Sequence, residues 1–279
     1  MTTTITHISL AIAILLYASA SMLFYAEVAR RASPESGWHR WAPALLGTAA
    51  ATHLVYVLLA SVVAKICPVH SVHFFLSIAS LLATTVYLLA RRRFRVRALG
   101  LIVAPIGLVL ILGTHFLGTA SPARRLPASF IGLHVFANLI GDALFLLAFG
   151  AAVMYLLQDR RLKSKRGLDG ARLPPLEALD RATHRFLLAG FPLLTLGVIS
   201  GSVWSARLEL GAPDVVLRTV FGYATWLLIA SVLLLRVVAG WRGRKAAYGT
   251  VVGFACAVIV LVTYLVRPAF REGAALLGG

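Results

Sequence analysis

The chain has 279 residues, 59% of them hydrophobic and only 13% charged, with a mean hydropathy of +0.86. A soluble domain carries about 25% charged residues, so this composition excludes an ordinary cytosolic enzyme and a disordered protein. The net charge of +17 does not point to a nucleic-acid partner, because the Lys and Arg residues punctuate long apolar runs, which is the pattern of a polytopic membrane protein.

Residues 1–9 contain no Lys or Arg, so the charged start of a cleavable signal peptide is missing and the first apolar run is expected to stay in the mature protein. Runs of roughly 20 apolar residues, the length a helix needs to cross about 30 Å of hydrocarbon, fall near 8–29, 41–64, 72–90, 98–117, 129–157, 185–206, 215–238 and 246–266. The predicted fold is therefore all-α: one membrane domain spanning 1–279, a bundle of eight transmembrane helices bathed in lipid. Twenty of the 27 Lys and Arg residues lie in alternate connections, at 30–40, 91–97, 160–185 and 236–245. The positive-inside rule assigns those connections to the cytoplasm and both termini to the outside. The longest of them, 160–184, reads as a basic loop, a Pro174-Pro175 break and a short amphipathic helix with Leu176 and Leu179 on one face, lying along the inner interface.

Polar side chains within spans are costly and mark sites or helix contacts. His53 stands midway along the second span, where an imidazole either ligates a haem iron or hydrogen-bonds between helices. The fifth span carries His134, Asn138 and Asp142 at i, i+4 and i+8. That spacing stacks them on one helical face running about 12 Å inward from the outer surface. His134 is placed to ligate iron, while Asn138 and Asp142 either orient propionates and water or bind a neighbouring helix. His70, His73 and His115 fall at the outer ends of the third and fourth spans, so with His134 four imidazoles share one membrane face. His7 and His39 read as solvated, and His184 as interfacial.

Gly197 and Gly201 form a GxxxG pair that implies a close helix contact. Trp38, Trp41, Trp204 and Trp241 lie near span ends, as an aromatic belt requires. Pro105 and Pro192 are expected to kink their helices. Cys67 and Cys256 form no CxxC pair, and no P-loop, HExxH or Ser/His/Asp set is present. Conventional hydrolysis and ATP use are thereby disfavoured.

Several longer segments carry a resemblance. They are Leu133-His134-Val135 followed by a span ending in Tyr155-Leu156-Leu157-Gln158-Asp159-Arg160-Arg161, then Leu176-Glu177-Ala178-Leu179-Asp180-Arg181, then Gly190-Phe191-Pro192-Leu193-Leu194-Thr195-Leu196-Gly197 and Gly201-Ser202-Val203-Trp204. The pattern continues with Gly240-Trp241-Arg242-Gly243-Arg244-Lys245-Ala246-Ala247 and Gly253-Phe254. Over about 53–265 the sequence resembles the cytochrome c assembly family, membrane haem-handling proteins of the CcsA type with their HemX and YpjD-like relatives. The resemblance implies a multi-pass protein of the bacterial inner membrane that binds haem non-covalently, as a b-type group. It would hold or deliver that haem at the outer face for attachment to apocytochrome c, working with a maturation partner protein and without autonomous catalysis.

In that family the position of His134 is an axial ligand for the outward haem and that of His53 an intramembrane ligand, with Trp204 among the candidate haem contacts. The family's tryptophan-rich motif is not found between Trp204 and Trp226, where the chain reads Glu209-Leu210-Gly211-Ala212-Pro213-Asp214-Val215-Val216. No His follows His184. A second outer ligand would then come from His70, His73, His115 or a partner, or there is none. The same departure fits a HemX-like regulator of tetrapyrrole synthesis acting on a cytoplasmic enzyme. A b-type electron carrier is the third reading, and it requires two bis-His haems and a quinone pocket.

Overall fold

The structure is a computed structural model that describes residues 2–29, 41–64, 72–94, 96–116, 128–164, 173–205 and 213–277. Its helices are α1 (Thr2–Ala29), α2 (Trp41–Ala64), α3 (Val72–Phe94), α4 (Gly100–Phe116), α5 (Ala128–Lys163), α6 (Leu176–Ser205), α7 (Pro213–Val238) and α8 (Arg244–Leu277), with a 3₁₀ turn at Arg97–Leu99 before α4. Among the described residues there is no strand, and eight helices are long and apolar enough to cross a membrane. Helices suit this role because hydrocarbon offers no partner for an unpaired backbone N–H or C=O.

The main helix pairs form two four-helix rings. In the first, α1 and α3 each pack on α2 and α4; in the second, α5 and α7 each pack on α6 and α8. The seam between the rings is α3 against α5. The apolar window of α5 is 61% buried against 22% for α7, which makes α5 the central helix and α7 a peripheral one. Side chains placed on α5 are therefore the best shielded from lipid.

The basic residues gather at one end of both rings, and specific contacts lock that end. In the first ring the Arg97 guanidinium lies 3.2 Å from the Glu27 carboxylate, and the Tyr87 hydroxyl donates to the Arg97 carbonyl at 2.8 Å. A Cβ on Gly100 would overlap the rings of Phe24 and Tyr87, so glycine lets α4 start against them. In the second ring the Asp180 carboxylate accepts two bonds from Arg236, at 3.0 and 2.6 Å, and a third at 2.9 Å from the Gly243 N–H. Gly240 and Gly243 both have φ of +63°, the left-handed region where a Cβ is penalised. Gly240 closes α7 in the left-handed conformation common at helix ends, and Trp241 N–H reaches back to Leu235 C=O at 3.1 Å. One carboxylate on α6 thus fastens the end of α7 and the turn into α8. Phe94 of α3 packs edge-on against Phe186 of α6, which brings the basic ends of both rings together.

Two boundaries differ from the sequence expectation. The segment expected as a separate interfacial helix after Pro174-Pro175 is the opening of α6, which runs unbroken from Leu176 to Ser205. Prolines are harmless just ahead of a helix, where their missing N–H would have had no intrahelical partner. Leu179, Ala182, Phe186 and Leu187 are all buried and continue one apolar stripe into the span. α5 likewise extends past the expected 157 to Lys163, where Asp159 pairs with Lys163 at 3.1 Å one turn on and with Arg244 at 3.3 Å. Pro105 and Pro192 both lie inside helices, as anticipated.

Candidate functional site

His53 and His134 occupy different rings and have unlike surroundings. His53 is fully buried midway along α2. Its Nε2 lies 2.7 Å from the Ser77 hydroxyl of α3, and its Nδ1 lies 3.5 Å from the Tyr17 hydroxyl of α1. Tyr17 gives its own proton to Thr84 Oγ1 at 3.1 Å, so toward His53 its oxygen is an acceptor and Nδ1 carries the N–H. Nε2 is then the basic nitrogen, and Ser77, whose one hydrogen bond among the described residues is this one, donates to it. The Tyr17 ring meets the imidazole edge-on and Tyr56 lies tilted beside it. Next to this group Ser80 donates to the Gly107 carbonyl at 2.8 Å, tying α3 to α4. The result is a closed polar knot linking the four helices of the first ring.

His134 lies near the start of α5, half-buried against α6. Two glycines make room for it. A Cβ on Gly197 would overlap the Asn138 carboxamide, and a Cβ on Gly201 would lie 3.4 Å from His134 Cε1. Deeper in the same interface, a Cβ on Gly190 would meet Leu144 Cβ at 3.3 Å, and one on Gly141 would meet Leu193 Cβ at 3.4 Å. Glycines at 190, 197 and 201 thus form the stripe along which α5 approaches, the membrane use of small residues that the GxxxG pair predicted.

His134 Nδ1 is 2.6 Å from Ser200 Oγ. The Asn138 amide nitrogen donates to the His134 carbonyl at 2.8 Å and is 3.3 Å from each ring nitrogen. With one N–H given to the carbonyl, the second amide N–H is within hydrogen-bond reach of the ring. Among the described residues His134 Nε2 thus has only this 3.3 Å contact to Asn138, whereas His53 Nε2 has a 2.7 Å bond to Ser77. Farther along α6, Thr195 accepts from Trp226 Nε1 at 3.0 Å, and Ser202 and Tyr223 share a 2.6 Å bond. These contacts hold α7 against the site.

The other predicted residues divide. Asn138 joins His134 as expected, but Asp142 does not: it is half-buried and makes no hydrogen bond or ion pair among the described residues. His73, His115 and Trp204 lie on α3, α4 and α6, with side chains outside the described residues, and His70 lies outside them altogether. Ser200, Ser77 and Tyr17 were not singled out from sequence. The hint for Ser200 was its place within the Gly197–Gly201 interval, on the side of α6 that a close neighbour must face.

Haem asks for one or two axial nitrogens rather than a cage. Among the described residues no group of three or more His, Cys, Asp or Glu side chains could hold a bare metal ion. A lone imidazole beside apolar helix surface suits a haem iron. His134 is half-buried, and among the described residues its Nε2 is met only by the 3.3 Å contact to Asn138. His53 in this arrangement does not meet that requirement, because Ser77 covers its basic nitrogen and no surface of the ring is exposed.

Comparison with known proteins gives this geometry a setting. The family profile described as cytochrome C assembly protein matches residues 42–270, most of the chain. The chain belongs to the cytochrome c assembly family. Its similarity to individual members is moderate. The cytochrome c biogenesis protein CcsA of Heterosigma akashiwo is 26% identical over 239 residues, covering 71% of this chain and 72% of that protein. CcsA of Prochlorococcus marinus is 28% identical over 204 residues, covering 64% and 65%. CcsA of a Nostoc species is 35% identical over 108 residues, 39% of this chain. The matched stretch spans about 30% of that Nostoc protein and of its Nostoc punctiforme counterpart. No solved structure matches. Within the family pattern, Asp180 and the Gly240 to Ala247 turn now have a physical role: they form the three-bond clasp of the basic end.

Proposed function

We propose that this membrane protein holds haem for cytochrome c maturation, with His134 as the axial ligand at the end of the bundle away from the basic clasp. The observation that supports the reading is the half-buried His134, its Nδ1 held by Ser200 at 2.6 Å and its Nε2 met only by a longer 3.3 Å contact to Asn138 among the described residues, in a glycine-lined interface of a chain from the cytochrome c assembly family. Bound haem supplies vinyl groups to which the thiols of an apocytochrome add. The chain's own residues orient and shield. Ser200 and Asn138 fix the His134 ring, Gly197 and Gly201 keep α6 close behind it, and the apolar faces of α5 and α6 exclude water. A second ligand is assigned to His70, His73, His115 or a maturation partner.

In this proposal the basic end faces the cytoplasm, following the charge distribution, and the membrane is a bacterial inner membrane. His53 is the intramembrane ligand only in a state where Ser77 has turned away from Nε2. A regulator of tetrapyrrole synthesis is the second reading, favoured by the sequence between Trp204 and Trp226, which lacks the tryptophan-rich motif.

Titration of the detergent-solubilised chain with ferric haemin, followed by its Soret band, tests the main reading. Wild type is expected to bind, and His134→Ala to bind at least tenfold more weakly. Equal binding by the two would remove His134 as the ligand. Haem binding with no effect on cytochrome c assembly, together with an altered level of an early tetrapyrrole enzyme, would favour the regulator.

A further inference from the structure

Ser200 has only one consistent place for its proton. Its Oγ lies 2.5 Å from the Leu196 carbonyl one turn back and 3.2 Å from that of Gly197. Two oxygens 2.5 Å apart need a hydrogen between them, since facing lone pairs at that distance repel. Serine has a single proton, and it is committed to Leu196. Toward the imidazole, 2.6 Å away, the same oxygen is therefore an acceptor, and His134 Nδ1 carries the N–H. In a neutral imidazole the other nitrogen then bears the lone pair.

We infer that Ser200 is a positioning residue that holds His134 in the Nδ1–H tautomer and so leaves the lone pair on Nε2, the nitrogen that would meet a haem iron. The haem part of this inference rests on the proposed function above; the tautomer part does not. The Leu196 carbonyl acts as the anchor of the relay. By taking the serine proton it leaves the hydroxyl no other role than acceptor, and it fixes the Oγ on the side of α6 that faces α5. Asn138 adds orientation: its amide donates to the His134 carbonyl at 2.8 Å and makes a longer 3.3 Å contact with the ring nitrogens, which a ligand at Nε2 would replace. Outer partners of this kind set the tautomer and raise the basicity of a ligating imidazole, and their loss costs about 10- to 100-fold in metal affinity.

The test uses the full chain in detergent, without haem, carrying ¹⁵N-labelled histidine, with the His134 ring signals identified by their loss in His134→Ala. Wild type is expected to show a protonated Nδ1 and an unprotonated Nε2 at His134. Ser200→Ala should move the ring toward the Nε2–H form, and Ser200→Thr, which keeps the hydroxyl, should restore the wild-type pattern. Ferric haemin should bind Ser200→Ala about tenfold more weakly and Ser200→Thr like wild type. An Nε2–H ring in wild type, or a ring unchanged in Ser200→Ala, overturns the inference whatever haemin does. A tautomer that responds as expected, in a chain whose haemin binding ignores His134→Ala, overturns the proposed function and leaves the positioning role of Ser200 standing. Ser200→Thr guards against a folding artefact, because it differs from Ser200→Ala mainly in retaining the oxygen.

Discussion

His53 and His134 are each held by a serine from the next helix, and the proton runs in opposite directions in the two pairs. Ser77 has no carbonyl partner among the described residues, so its proton is spent on His53 Nε2. Ser200 spends its proton on Leu196 and accepts from His134 Nδ1. One serine caps the nitrogen that a metal would use at 2.7 Å, and the other takes the opposite nitrogen, leaving Nε2 with only a 3.3 Å contact to Asn138. The difference is set by backbone geometry rather than by residue type. It teaches that an intramembrane histidine paired with serine is a structural link or a ligand according to where the hydroxyl hydrogen goes.

The rings around them differ in the same sense. The first ring is tied internally through Tyr17, His53, Ser77, Ser80 and Thr84, all of them near its core. The second is tied at its basic end through Asp180 and carries His134 toward the other end, its Nε2 met only by the 3.3 Å contact to Asn138 among the described residues. Breaking the clasp is the harshest way to challenge this division. Asp180 and Arg236 side chains are only 14% and 11% exposed, so removing one charge strands the other. Asp180→Asn is expected to cost about 3 kcal/mol, read as a fall in the thermal unfolding temperature in detergent. The spectrum of bound haemin, where protein remains folded, should keep its shape. A changed ligation spectrum would mean that the two ends of the ring are not independent.

The helix interface behind His134 can be tested next. Gly197→Ala drives a methyl into the Asn138 carboxamide and should cost about 2 kcal/mol, in the range of overpacking changes. Adding Asn138→Ala should recover most of that loss, and a double mutant no more stable than Gly197→Ala would contradict the contact. The smallest effect is expected at the capped site. Ser77→Ala removes one interhelical hydrogen bond, worth about 0.6 kcal/mol in a bilayer protein. It also exposes His53 Nε2 to any ligand able to reach it. Haemin stoichiometry should stay the same or rise in this variant; a fall would show that Ser77 supports binding rather than blocking it.

Much of the fold was legible in the sequence because the bilayer imposes simple rules. Apolar runs gave the eight spans, and the glycine pair at 197 and 201 gave a close helix contact whose partner, α5, only the structure names. What failed was local. The segment at 176–184 looked like a separate amphipathic helix because its charges are those of an interface, yet Leu179, Ala182 and Phe186 carry its buried stripe straight into the span. The candidate site was half legible. His134 and Asn138 were found because polar residues at i and i+4 stand out in a lipid-embedded helix. Ser200 and Ser77 were invisible because serine is unremarkable in a membrane helix, where its hydroxyl commonly bonds the carbonyl one turn back. Only the register of α5 on α6, and of α2 on α3, reveals which serine has its proton to spare. Asp142 shows the reverse, since its spacing promised a partner that it does not have among the described residues.

The most direct measurement is chemical rescue at His134. His134→Gly should lose the ferric haemin Soret shift and regain it when free imidazole is added, while His53→Gly should keep the wild-type spectrum without any addition. A His134→Gly protein that binds haemin as wild type does, or loss of the spectrum in His53→Gly alone with rescue there by imidazole, would contradict the account.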